Sequence, residues 1–386
     1  MTAIVQAIQQ VQPKIIPGFI HWREALQTLL AGQELETLAG EARLETLSME
    51  LRQIWLRFAH GFGDAHLKSP PTGRVIRLPT GERARFSYER CVSPNHLERR
   101  CQGYRAARPD WEATHLVFQS GMAAIVLLLH ACVRTYKPTV QTPLRLDLFG
   151  GYYETTRALR LFSEPLFSSR RITSQGELAR RIEARENNIL LLEPVPYDWE
   201  MEPLEVAPLL RALRARVTSP MLMVIVDSTI VGPAFQMGAF LEGLDMADPP
   251  LVIQLNSGLK LDQEGLELAH VGIVTLYAPK RSATGLSLGE RLVKAMRADR
   301  KIFGNALSMD EMAILDLPFF LDPVAHLRYC QGVFHNNRLL AESIQPGGLF
   351  SRIVHPALAS GAEQGWAVAP FVVFHFRPEL DTESNH

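Results

Sequence analysis

The chain has 386 residues, a formal net charge of −1 and an apolar fraction of 47%. That length holds one large α/β domain and a smaller one, and a charge this close to zero builds no field to gather nucleic acid or an anionic membrane surface. Cys91, Cys101, Cys132 and Cys330 are scattered, with neither CxxC nor zinc-type spacing, so neither a disulfide framework nor a metal centre is indicated.

The opening MTAIVQAIQQVQPK has no basic start followed by a long apolar run and does not read as a secretory signal. Residues 20–66 are rich in Leu, Glu, Ala and Arg at helical spacing and predict amphipathic helices. Residues 68–87 hold Pro-Pro, Thr-Gly and Pro-Thr-Gly, the chemistry of a loop with one short hairpin. The most apolar stretch, 122–133, is interrupted by His130 and is too short to span a bilayer. The expectation is a cytoplasmic protein.

From about residue 91 short apolar strands alternate with helical patterns. The strands are THLVF, LRLDLF, NILLLEP, MLMVIVDST, LVIQLNS and VGIVTLYA, with helical stretches such as QGELARRIEARE and LEVAPLLRALRARV between them. Several strands are apolar on both faces, as in a parallel sheet covered on each side by helices. The alternation predicts a three-layer α/β/α domain with a mainly parallel central sheet. Past residue 300 the pattern turns helical and ends in a strand-like APFVVFHF. The tail DTESNH reads as disordered.

Ligands of such sheets bind beyond the carboxyl ends of the strands. Four polar features lie there: Gln119-Ser120-Gly121-Met122 opening an apolar helix, Glu193 after one strand, Asp227 ending another, and Ser257 with Lys260 after a third. Singly, each has a plain reading. Ser120 is a helix cap, Asp227 caps a turn together with Ser228 or Thr229, and Lys260 is a solvated lysine. In this order they also match the parts that pyridoxal 5'-phosphate (PLP) requires. Helix N–H groups take a phosphate, a carboxylate keeps the pyridine nitrogen protonated, and a lysine desolvated after an apolar strand forms an imine with the aldehyde.

Six segments in register resemble the Cys/Met-metabolism group of fold type I PLP enzymes, the cystathionine γ-synthases, cystathionine lyases and methionine γ-lyases. They are FSYERCVSPNHLE, FQSGMAAI, DLFGGYYETTRAL, LLEPVPYDWEMEPLEV, MVIVDSTIVGP and NSGLKLDQEGLELAHVGIV, between Phe86 and Phe376. The resemblance implies that Lys260 holds PLP as a Schiff base and moves protons, and that Asp227 pairs with the pyridine nitrogen. It assigns the phosphate to the N–H groups of Gly121 and Met122 and to the Ser257 hydroxyl. Phe149 stands where the family stacks a tyrosine on the cofactor ring. Tyr88 and Arg90 match the pair that reaches the phosphate of the neighbouring subunit, which implies a homodimer or a homotetramer built from dimers.

The departures are specific. Phe149 lacks the family tyrosine's hydroxyl, for which Tyr152 or Tyr153 could substitute. Leu259 replaces a threonine, and Tyr197 or a neighbour stands where the family has an asparagine. No residue matches the substrate-carboxylate arginine, because the chain ends soon after FVVFHF. The expected organisation is a helical region and arm over 1–90, a PLP-binding domain over 91–300, and a smaller domain over 301–386, shorter than in the family. The expected activity is β/γ-elimination or γ-replacement on an amino acid in specialised biosynthesis. Aminotransferase-type Cα chemistry and a degenerate, non-catalytic partner subunit are the alternatives.

Overall fold

The apolar segments assemble into one seven-stranded sheet in a computed structural model that describes residues 16, 18–32, 37–63, 69, 73–86, 88–162, 166–216, 223–359 and 365–380. The opening segment and the DTESNH tail lie outside those residues. The strands are β3 (Trp111–Phe118), β4 (Leu144–Phe149), β5 (Phe167–Ile172), β6 (Ile189–Leu192), β7 (Met223–Asp227), β8 (Leu251–Ser257) and β9 (Gly272–Pro279). Their order across the sheet is β3-β9-β8-β7-β6-β4-β5. β9 pairs antiparallel with both β3 and β8, while the other ladders are parallel. Six strands therefore end at one edge of the sheet, and β9 begins there.

Strand alternation sorts the side chains onto two faces. Leu116, Leu148, Leu191, Ile225, Leu255 and Val274 form one core with α4 (Gly121–Tyr136) and α9 (Ala283–Ile302). Phe149, Leu192, Val226, Val252 and Tyr277 face the other way, against α6 (Gln175–Glu183), α7 (Val206–Ala215) and α8 (Met237–Gly243). This is the three-layer arrangement expected from strands apolar on both faces.

The predicted N-terminal helices are α1 (Phe19–Ala31) and α2 (Leu38–Gly63). Phe19, Trp22, Leu26 and Leu29 make a buried stripe at spacings of three and four, and Leu47, Leu51, Trp55 and Ala59 do the same in α2. Two indoles fix the packing. Trp22 Nε1–H donates to the Leu47 carbonyl at 2.7 Å, and Trp55 Nε1–H donates to the Ile314 carbonyl at 2.8 Å. Both helices share a core with Val117 and Ile273, so they cover the β3–β9 end of the second face. The expected hairpin is β1 (Arg74–Arg77) with β2 (Arg83–Phe86). It is followed by α3 (Asn95–Tyr104), and α5 (Tyr153–Leu159) follows β4.

β5 is absent from the sequence reading. Its FSSRRI buries only its two ends, because it is a sheet edge with one neighbour and needs little apolar surface. The C-terminal segment contains α10 (Met309–Ile314) and α11 (Pro323–Ser343), the latter capped by Asp322, whose side chain accepts from Ala325 N–H at 2.7 Å. Of APFVVFHF only Val373–Phe376 forms a strand, β11. It pairs with β10 (Phe350–Val354) in a separate two-stranded sheet. Among the described residues no helix is long and apolar enough to cross a membrane.

Candidate active site

The common strand edge gathers four of the predicted polar groups. Asp227 and Ser257 lie on the same sheet face as Ile225 and Leu255, the face on which α4 packs. The start of α4 is built for close approach. A Cβ on Gly121 would lie 3.1 Å from Ser257 Cβ and 3.2 Å from Ser257 Cα, and a Cβ on Gly272 would lie 2.2 Å from the Ser120 carbonyl oxygen. Glycine at both positions lets the helix start sit directly against the ends of β8 and β9. Ser120 caps the helix by accepting from Ala123 N–H at 3.0 Å, and its carbonyl accepts from Ala124 N–H. The N–H groups of Gly121 and Met122 meet no acceptor among the described residues. With the helix dipole behind them, these free donors favour an anion.

Asp227 ends β7 half-buried, and burial pushes its carboxyl above the usual carboxylate range. Its two hydrogen bonds both fall on Oδ1, from Thr229 N–H at 3.0 Å and Thr229 Oγ1–H at 2.6 Å. Oδ2 meets no donor, and no cation pairs with the carboxylate, among the described residues. Thr229 Oγ1 in turn accepts from Ser257 N–H at 2.9 Å. It therefore ties the ends of β7 and β8 together.

Glu193 follows β6 and is 5% exposed. Its carboxylate accepts from the N–H groups of Gly151, Tyr152 and Tyr197, at 2.9, 3.1 and 2.7 Å. Burial and then the like charge of Asp227 raise its pKa from 4.5 to about 7, against the lowering pull of those three bonds. A Cβ on Gly150 would lie 2.5 Å from Glu193 Oε1, so the loop after β4 closes over the carboxylate only because residue 150 is glycine. Glu193 thus holds two loops in place beside Asp227.

The remaining predicted residues are placed unequally. Lys260 follows β8 and stands exposed at the head of the short 3-10 turn Leu261–Gln263. The desolvation anticipated after an apolar strand is not there, because the chain has already left the sheet at Ser257. Phe149 is not brought to the site. It lies in register with Leu192 and Val226, 3% exposed in the core of the opposite face. Tyr152, three residues on, is half-buried, with its ring against Tyr153 and Tyr197 and its hydroxyl donating to Glu154 Oε2 at 2.6 Å. Tyr88 and Arg90 are exposed and engage each other. Arg90 Nε–H donates to the Tyr88 hydroxyl at 2.9 Å, and the guanidinium lies 4.9 Å from the Tyr88 ring centre.

Thr229, Gly150 and Gly272 were not singled out as site residues from the sequence. For Thr229 a signal existed: a hydroxyl two residues after an aspartate at a strand end is the pattern of a side-chain-to-backbone turn. The two glycines gave none, because their role depends on which strand or helix passes beside them.

No protein-family profile matches the chain, and no curated protein sequence matches it. Solved structures do. A cystathionine gamma synthase from Xanthomonas oryzae pv. oryzae, in complex with aminoacrylate and cysteine, is 17% identical, with a TM-score of 0.52 over 77% of this chain and 69% of that one. A cystathionine gamma-lyase from yeast is 14% identical, with a TM-score of 0.52 over 76% of this chain and 68% of that one. The architecture is fold type I. A methionine gamma lyase from Micromonospora echinospora is 19% identical, with a TM-score of 0.49 over 73% of this chain and 66% of that one. The chain thus spans about two thirds of the length of the structures it matches.

The site suits the cofactor that the sequence resemblance implies. It offers anion donors without an acceptor at Gly121 and Met122, a carboxylate without a cation at Asp227, and an amine beyond the same strand edge at Lys260. A doubly charged phosphate, a pyridine N–H and an aldehyde are what these three groups lack.

Proposed function

We propose that the chain is a PLP-dependent lyase or transferase acting on an amino acid by elimination or replacement at Cβ or Cγ. The observation that carries this reading is the half-buried Asp227 carboxylate, tied through Thr229 to Ser257, against which the glycine-built helix start with its free N–H groups packs, and with no cation of its own among the described residues. Bound PLP supplies an electron sink that weakens the bonds at the substrate Cα. Asp227 Oδ2, which meets no donor among the described residues, would accept the pyridine N–H and keep the ring protonated. The N–H groups of Gly121 and Met122, with the Ser257 hydroxyl, hold the phosphate. Lys260 Nζ would hold the cofactor aldehyde and, once displaced by the substrate amine, would be the base for the Cα proton. Glu193 fixes the loops carrying Tyr152 and Tyr197, whose rings pack on each other. Tyr88 and Arg90, exposed and paired with each other, reach the neighbouring site of a dimer.

The test is covalent. Protein incubated with PLP and reduced with borohydride carries the cofactor mass on the Lys260 peptide, and Lys260→Ala carries none. A reduced adduct spread over surface lysines, or one that survives Lys260→Ala, overturns the assignment.

Aminotransferase-type Cα chemistry is the second reading, and Phe149 favours it. Phe149 lies in the core of the opposite face and supplies no hydroxyl, and the Tyr152 hydroxyl is engaged by Glu154 Oε2, so neither is set to protonate a leaving group on Cγ. Formation of a 2-oxo acid without release of a side-chain fragment selects this reading. Turnover of any amino acid excludes a non-catalytic partner subunit.

A further inference from the structure

A cavity of about 180 Å³ opens on the sheet face opposite the Asp227–Ser257 edge, between the end of α3, the turn after β7 and the start of α11. Tyr104, Arg105, Gln236, Gln254 and His326 give it a polar lining. It is separate from the site described above. Gln254 and Asn256 point to the face that Leu255 and Ser257 avoid.

Arg105 is the uncompensated charge of this cavity. Its Nη2–H donates to Asn256 Oδ1, and its guanidinium lies 5.0 Å from the Tyr104 ring centre. Its Nε–H is buried and meets no acceptor. The carboxylate of the same network, Asp262, is engaged elsewhere, accepting from the Tyr104 hydroxyl and from Asn256 Nδ2–H. No carboxylate pairs directly with Arg105 among the described residues. His326 adds no second charge, because burial pushes its imidazole below the usual histidine range. A part-buried guanidinium with spare donors, facing a polar cavity, offers an entering anion charge-assisted hydrogen bonds.

We propose that this cavity is a binding site for a small carboxylate anion, with Arg105 as its charge partner. The guanidinium fork matches the two oxygens of a carboxylate better than it matches a single point charge. The volume of about 180 Å³ suits an anion of a few carbon atoms. Gln236, on the cavity lining, offers a neutral polar partner for the rest of such a ligand. The site stands or falls independently of whether Lys260 carries a cofactor.

The test is calorimetric titration of the full-length protein with sodium acetate and with sodium pyruvate, at ionic strength held constant with chloride. Sodium sulfate serves as the tetrahedral comparison. Saturable binding of at least one carboxylate, more than tenfold weaker in Arg105→Gln, is the expected result, with sulfate weaker than the carboxylates. Gly238→Val fills the cavity without touching the network, since a Cβ there meets only Ala106 Cβ at 3.9 Å. It blocks binding as well and keeps the test decisive if Arg105→Gln fails to fold. Absence of saturable carboxylate binding, sulfate binding as tightly as the carboxylates, or equal affinity in wild type and Gly238→Val overturns the proposal.

Discussion

Thr229 holds Asp227 by two hydrogen bonds to a single carboxylate oxygen, at 2.6 and 3.0 Å, and so leaves the second oxygen turned away from the turn. The same hydroxyl accepts from Ser257 N–H. One side chain therefore sets both the direction of the candidate acid and its distance from the neighbouring strand.

Thr229→Val keeps the shape and removes both functions. The Ser257 N–H loses its acceptor and Asp227 loses its strongest donor, a cost of about 1–3 kcal/mol. Urea denaturation should register that loss, and PLP titration should show weaker binding, while Thr229→Ser recovers most of both. Unchanged PLP affinity in Thr229→Val would remove Thr229 from the site.

Gly272→Ala tests the closeness of the helix start. Its methyl would lie 2.2 Å from the Ser120 carbonyl oxygen, so α4 must shift away from β9. The expected cost is about 1–3 kcal/mol of stability from overpacking. Phosphate, expected to raise the melting temperature of the wild type, should have no such effect on the variant. A variant that melts as the wild type does, with and without phosphate, would contradict the packing described.

Glu193 predicts a pH dependence. Its pKa is raised from 4.5 to about 7 in the folded chain. Between those values the native state holds a proton that the unfolded state has lost, so stability falls as pH rises through the window. The shift corresponds to at most about 3–4 kcal/mol. Glu193→Gln abolishes this slope, because nothing ionises there. It also lowers stability at pH 5 by about 1–2 kcal/mol, since an amide cannot accept all three N–H bonds. Denaturation midpoints at pH 5 and pH 8 for both proteins measure this, and equal slopes would argue against it.

His115 acts at the acid end. It is buried in β3 against Thr275, with 3.0 Å between Nδ1 and Oγ1, and burial lowers its pKa from 6.5 to about 4. The unfolded chain binds the proton first, so stability present above pH 6.5 is lost as pH falls toward 4. His96, buried and also lowered to about 4, adds a second contribution of the same sign. His115→Gln keeps a polar partner for Thr275 and shifts the acid-unfolding midpoint to lower pH. An unmoved midpoint would show that His115 already titrates normally.

Much of this molecule is legible as pattern. LRLDLF and LVIQLNS coincide with β4 and β8 residue for residue, because a short, mostly apolar run bounded by proline and glycine fits a strand of a covered sheet. The order Gly121, Asp227, Ser257, Lys260 was readable for the same reason: each lies just beyond such a strand. β5 was not legible, because FSSRRI carries the polarity of an edge strand. The exposure of Lys260 and the turning away of Phe149 were equally hidden. Each depends on where the strand stops relative to its neighbours, and a spacing of residues does not state that.

The sequence by itself determined the sheet, its helical layers and the polar groups at its carboxyl edge, since hydrophobic periodicity and helix-start chemistry are local properties. The tertiary structure decided which of those groups meet. Phe149 went to the far face because its register with Leu192 and Val226 puts it on that side of the pleat. Thr229, Gly150 and Gly272 gained their roles because the ends of β4, β6, β7 and β8, the start of β9 and the start of α4 converge within hydrogen-bonding and van der Waals distance. That convergence is a property of long-range packing, and no single segment carries it.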